Sequence, residues 1–261
     1  MTKTIEFFFD LSSPWTCLAF HRIQPLLAQT GATLRLRPFL VGGVHNQVNT
    51  GFVQSRTDDI TGPKWQHSGR VLMDWAAYCG VTMNFPSKHH PLRSVHAMRL
   101  CCLLEDDQTA LHAFATACFA AYFTDMRNLD DPAELMDIAA ACGLDGPTLA
   151  AQTQEQACKD HLRANTDEAI ARGAFGSPTI FVPTAKGEKM YFGNDQLPLV
   201  QWAIETLKAR PSPCLKSKQR FSLPEPLPRG ERRGGGRKAG AQRHRRRRRE
   251  AALRPGGDEV T

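Results

Sequence analysis

Three short stretches carry the residue types that can do chemistry, and the first is Ser13-Pro14-Trp15-Thr16. It follows an apolar run and heads a helical pattern. Serine is a preferred N-cap and proline a preferred first helical residue, so Ser13-Pro14 marks a helix start. A helix start presents unpaired N–H groups and about half a positive charge. Such a place stabilises a thiolate, whether the sulfur belongs to the protein or arrives on a ligand. The Ser13 hydroxyl can add a hydrogen bond to that sulfur. A plain cap requires serine equally, so Ser13 alone does not separate the two roles.

The second stretch is Gly176-Ser177-Pro178-Thr179, directly before a β-rich run. The third is Phe192-Gly193-Asn194-Asp195, at a strand end and opening the last helix. Asn194 and Asp195 both suit a helix cap. The eight cysteines stand at 17, 79, 101, 102, 118, 142, 158 and 214, with no CxxC pair among them. That spacing indicates neither a zinc knuckle nor a dithiol redox motif, and no metal site is expected. Cys17 should turn to another face of the first helix and reads as a packed thiol. Trp65, His67, Trp75, His89 and His90, each taken singly, read as packing or surface residues.

The elements that must hold these stretches follow from pattern. Residues 4–11 read as a buried strand, and a helix runs from Pro14 to a stop at Gly31, with a kink or break expected near Pro25. Residues 32–41 alternate Leu34 and Leu36 with Arg35 and Arg37, a strand period. Residues 51–64 are polar and read as loop. Helical segments follow at 66–79, 92–106, 109–124, 132–142 and 148–172. Strands return at 179–182 and 190–192 as a hairpin, and a last helix carries Leu197, Val200, Ile204 and Leu207 on one face.

Composition bounds the rest. Of 261 residues 41% are hydrophobic, enough for a sizeable core. The net charge of +7 is uneven. Residues 211–261 hold fifteen Lys and Arg against five Asp and Glu, leaving 18 basic and 21 acidic groups in 1–210. The folded part is therefore mildly acidic. The tail, with Arg245–Arg249 in one run, has no periodic apolar face and is expected to be disordered. The apolar run near the start is too short for a signal-peptide core, and no stretch approaches a membrane span. A reduced, cytoplasmic protein is expected.

The order β-α-β, helical block, β-β-α, together with FFFDLSSPWTCLAF (7–20), FLVGG (39–43), PLRSVHAMRL (91–100), GAFGSPTIFV (173–182) and YFGNDQLPLV (191–200), resembles the DsbA-like branch of the thioredoxin superfamily. Within it the chain is most similar to 2-hydroxychromene-2-carboxylate isomerases and kappa-class glutathione transferases, over about residues 3–208. The resemblance implies an α/β thioredoxin-like domain from 1–43 and 174–210, an inserted all-helical domain from 44–173, and the tail 211–261 beyond it. Redox relatives carry Cys-x-x-Cys where this chain has Ser13-x-x-Thr16, so no internal disulfide can form here. A cis bond before Pro178 is implied, which would expose the Ser177 main chain to an extended peptide such as glutathione. Gly193, Asn194 and Asp195 would hold its γ-glutamyl end. Asn49 would touch glutathione, and Asn46 and Arg93 the aromatic substrate. The chain departs from the isomerases in having no lysine between 42 and 63.

The activity implied is a glutathione-dependent isomerisation of an aromatic conjugated keto-acid. Ser13 would stabilise the sulfur that adds to the substrate and leaves again, allowing bond rotation between. A kappa-like transferase or peroxidase is the alternative. A third reading is a non-catalytic thioredoxin-like scaffold whose basic tail binds nucleic acid through phosphate charge. That tail lacks interleaved aromatics apart from Phe221, which argues against nucleic acid. Related proteins are often dimers, so a homodimer is a further expectation.

Overall fold

The first strand is built from Phe7, Phe8 and Phe9, which point alternately to opposite sides and are all fully buried. A strand buried on both sides belongs inside a sheet. The computed structural model, which describes residues 3–52, 54 and 61–208, places it there. Its elements run β1 (Thr4–Phe9), α1 (Pro14–Thr30), β2 (Thr33–Pro38), α2 (Val41–Val48), α3 (Pro63–Cys79), α4 (Val95–Leu103) and α5 (Gln108–Phe119). A π-helical turn, Ala120–Thr124, then leads to α6 (Pro132–Ala141), α7 (Gly146–Gln152) and α8 (Gln156–Ala171). The chain returns through β3 (Thr179–Thr184) and β4 (Gly187–Phe192), a 3-10 turn at Asn194–Gln196, and α9 (Leu197–Lys208).

The four strands pair in the order β2-β1-β3-β4. β1 and β2 are parallel, with Phe7 opposite Leu36, and β3 runs antiparallel to β1, with Phe7 opposite Ile180. One sheet face presents Ile5, Phe7, Phe9, Leu36, Ile180 and Val182 to the large core that includes residues of α1, α3–α6, α8 and α9. The other presents Phe8 and Phe181 to Phe39, Val44, Ala169 and Ala174. Each buried phenylalanine contributes about 2–3 kcal/mol of apolar burial, so β1 firmly anchors the loop at its C-terminal end. This is the expected α/β, thioredoxin-like arrangement.

Local signals set the ends of α1 as expected. Ser13 caps it, Pro14 opens it, and Gly31 closes it at φ 63° with its N–H on Leu27 O. The helix continues through Pro25 without a break, contrary to expectation. Other boundaries also differ. Gly42 and Gly43, whose composition suits a turn, lie inside α2; Gly43 packs closely, a Cβ there coming within 3.2 Å of the Thr166 side chain. The single helix expected over 148–172 is two, separated at Thr153–Glu155. Strand β1 stops at Phe9, because Asp10 turns its carboxylate inward, and Pro63 starts α3 three residues early. Part of the expected loop 51–64 and the tail 211–261 lie outside the described residues. No described helix is long and apolar enough to cross a membrane.

Candidate functional site

Residues distant in sequence converge where β1 hands over to α1. Ser13 Oγ accepts from Thr16 N at 3.2 Å, which makes it a true N-cap, and donates to Ser177 O at 3.2 Å. The Thr16 and Ser177 hydroxyls lie 2.8 Å apart, and Ser177 Oγ also accepts from Asp10 N at 3.1 Å. The Ser177-Pro178 bond is cis, as the resemblance implied. Side-chain hydrogen bonds from Ser13 and Thr16 thus join the first stretch to the second. Gly193 N donates to Pro178 O at 3.1 Å, which joins the third.

Asp10 organises the floor of this corner, and no sequence motif singled it out. It is fully buried. One carboxylate oxygen accepts from Ser12 N and Ser12 Oγ, at 2.9 and 2.8 Å. The other accepts from Val41 N at 2.9 Å, so Asp10 caps α2 from a distance where Leu40 offers no side-chain acceptor. The Ser94 hydroxyl bonds it as well. Burial raises the Asp10 pKa above the ordinary carboxylate range, opposed by these hydrogen bonds. The only available signal was a polar residue ending an otherwise aromatic strand.

The third stretch is held by α1. Arg22 Nη1 donates to Asn194 O at 2.7 Å and to Asn194 Oδ1 at 3.0 Å, while its guanidinium lies 4.3 Å from the Trp75 ring centre. Asn194 is 1% exposed, and its Nδ2 has no hydrogen-bond partner. A buried amide donor without an acceptor costs about 1–3 kcal/mol, so it marks a place where an acceptor belongs. Gly193 sits at φ 97°, and a Cβ there would lie 2.7 Å from Asp195 Oδ1. Glycine therefore lets the exposed Asp195 carboxylate fold back over the turn.

The remaining candidates separate. Asn49, at the end of α2, donates to Phe175 O at 3.1 Å and so borders the 173–178 loop. Phe175 packs against Phe192 with the rings tilted by 48° and 4.5 Å apart, and it is 39% exposed, giving that border an aromatic wall. Asn46 is exposed on α2. Arg93 pairs with Asp130 at 3.3 Å, its side chain 87% exposed, and it is its neighbour Ser94 that reaches the Asp10 corner. Cys17 is 1% exposed, and burial pushes its pKa up to about 12. It is held as a thiol, as a packed residue should be. Arg22 and Asp10 are the participants that spacing did not reveal.

The corner therefore brings together a positive helix start, the main chain before a cis-proline and one buried amide donor without an acceptor. Known proteins agree with the architecture. The model of the DSBA-like thioredoxin domain family matches residues 4–205. A 2-hydroxychromene-2-carboxylate isomerase of Sphingobium xenophagum is 27% identical over 201 residues, 77% of this chain and 97% of that protein. Glutathione S-transferase kappa 2 of Caenorhabditis elegans is 27% identical over 213 residues, 76% of this chain and 90% of its own. The solved structure of a 2-hydroxychromene-2-carboxylate isomerase superposes with a TM-score of 0.64 at 23% identity, covering 78% of this chain and 96% of that one.

Proposed function

The chain belongs to the DSBA-like thioredoxin domain family, and on that premise we propose that it is a glutathione-dependent isomerase of the 2-hydroxychromene-2-carboxylate type, acting on an aromatic conjugated keto-acid. The observation that carries the reading is Ser13, a hydroxyl at a helix start, bonded across to the carbonyl before a cis-proline. With Cys17 buried as a thiol, this corner has no thiolate of its own to use. The residues present fit glutathione: the partnerless Asn194 Nδ2 suits its γ-glutamyl carboxylate, and Asp195 its ammonium. Bound glutathione would supply a thiolate that adds reversibly to a conjugated carbon and departs after bond rotation.

The chain's own residues do the rest. The N–H groups heading α1 favour the charged sulfur, and Ser13, by turning its hydroxyl from Ser177 O, adds a hydrogen bond. Ser177 and Pro178 present the main-chain edge for glutathione, and Asn49, bonded to Phe175 O, borders it. Asn46 and Arg93 stand further out and would act only on a substrate that extends to them. A kappa-type transferase would use the same sulfur site and stop after addition, a reading supported by the kappa relative at equal identity. The seven described cysteines are all unpaired, which supports a reducing, cytoplasmic setting.

The test is a thermal shift with glutathione followed by turnover of a hydroxychromene carboxylate. Glutathione should raise the melting temperature. Ser13→Ala should lower turnover by about 100-fold, the scale of a lost oxyanion-type donor. No shift and no turnover would defeat the proposal, and conjugate accumulation without isomer would favour the transferase.

A further inference from the structure

A second set of chemistry-bearing side chains lies away from Ser13, between α4 and α8. Cys102 stands near the end of α4, and Glu105 follows one turn on, its N–H on Cys102 O. On α8, Cys158 and His161 have the same three-residue spacing, so two short stripes face each other. Cys158 Sγ donates to Arg99 O at 3.4 Å, and His161 Nε2 meets Glu105 Oε2 at 3.0 Å, which sets the two helices in register. The Cys102 sulfur, a Glu105 oxygen and a His161 nitrogen all lie within 4.8 Å of one another.

We propose that Cys102, Glu105 and His161 form a binding site for a zinc ion, with solvent at the fourth position. Tetrahedral zinc needs donor atoms about 3.3–3.7 Å apart, so closing the set takes shifts of about 1 Å. Cys102 and Glu105 are 3% and 4% exposed, while the His161 side chain is 42% exposed, which provides the way in. The carboxylate is already supported as a ligand should be, by Arg37 Nε at 2.7 Å and Asn165 Nδ2 at 2.6 Å. The ion would replace the His161–Glu105 contact and leave those two supports in place.

Charge favours a dication there. Arg37 pairs with Glu6, Glu105 and Glu168, and Arg172 with Glu6, Glu168 and Glu188. Four carboxylates thus share two guanidinium groups. On binding, the Cys102 thiol proton goes to solvent, and the thiolate and carboxylate balance the metal. The set is not a zinc knuckle, because it holds one cysteine, with Glu105 three residues on and His161 from α8. The site is independent of the glutathione reading.

The full-length chain, reduced and stripped of metal, should take one equivalent of cobalt(II), with tetrahedral visible bands and a thiolate charge-transfer band, and zinc should displace it. Cys102→Ser should abolish the charge-transfer band, whereas Cys158→Ser should keep it. His161→Gln, on the exposed side and expected to fold, should weaken binding by roughly 10-fold or more. Absence of the charge-transfer band in the parent chain would overturn the site. So would its persistence in Cys102→Ser, or unchanged cobalt affinity in His161→Gln.

Discussion

Two polar regions lie against the same sheet and are solved in opposite ways. At the Ser13 corner one buried carboxylate, Asp10, is satisfied by neutral donors from Ser12, Val41 and Ser94. On the other face, Arg37 and Arg172 are surrounded by Glu6, Glu105, Glu168 and Glu188, with Arg172 3.9 Å from the Phe181 ring centre. The ionic region holds charge by pairing it. The Ser13 corner uses hydroxyls and main-chain groups and leaves one donor, Asn194 Nδ2, unspent. In the ionic region Arg37 Nε also lacks a hydrogen bond, but it lies 2.7 Å from the Glu105 carboxylate and is held there by charge, whereas Asn194 Nδ2 has no such partner.

Removing the central cation should disturb this contrast most severely. Arg37→Met, measured by urea unfolding with a chelator present, should cost about 3–5 kcal/mol, because Glu105 is left buried without its guanidinium. Adding Glu105→Gln should restore part of that loss. At the Ser13 corner, Asp10→Ala should cost about 2–4 kcal/mol, by stranding the Ser12 and Val41 N–H groups. Asp10→Asn sharpens the contrast through pH. The raised pKa means that the folded state holds the Asp10 proton more tightly than the unfolded chain does. Parent stability relative to Asp10→Asn should therefore fall as pH rises through and above the ordinary carboxylate range.

The smallest effect belongs to two histidines, His21 on α1 and His112 on α5. Burial lowers the pKa of both His21 and His112, with His112 also acting on His21 through charge. The unfolded chain then takes up protons that the folded one resists. Stability should decline gently as pH drops below about 6.5, the ordinary histidine value. His112→Phe, stacked on Phe20 in the same place, should flatten that slope in urea titrations between neutral and mildly acid pH.

The features legible in advance were local. Ser13-Pro14, the Gly31 stop and the hairpin depend on neighbouring residues and stand where pattern put them, although the hairpin strands run further, to Thr184 and from Gly187. The cis bond before Pro178 came from resemblance, since an isolated X-Pro pair gives no such signal. The illegible features depend on partners far along the chain. Asp10 reaches Val41 across 31 positions, and Arg22 reaches Asn194 across 172. Gly42-Gly43 looks like a turn by composition, but it is helical, with an external carboxylate capping the segment at Val41 N. The break at Thr153–Glu155 comes with no glycine or proline, so no breaker residue announced it.

That external cap couples motions which the chain itself would leave independent. The loop before α1 and the first turn of α2 are separate segments on separate sides of β2 in sequence. Yet one carboxylate accepts from the main chain of both. Fraying of α2 frees an oxygen that then competes for Ser12, and loosening at Ser12 weakens the hold on Val41. The two segments are thus tied through one group, and Asp10→Ala should speed amide exchange at Ser12 and in the first turn of α2 together.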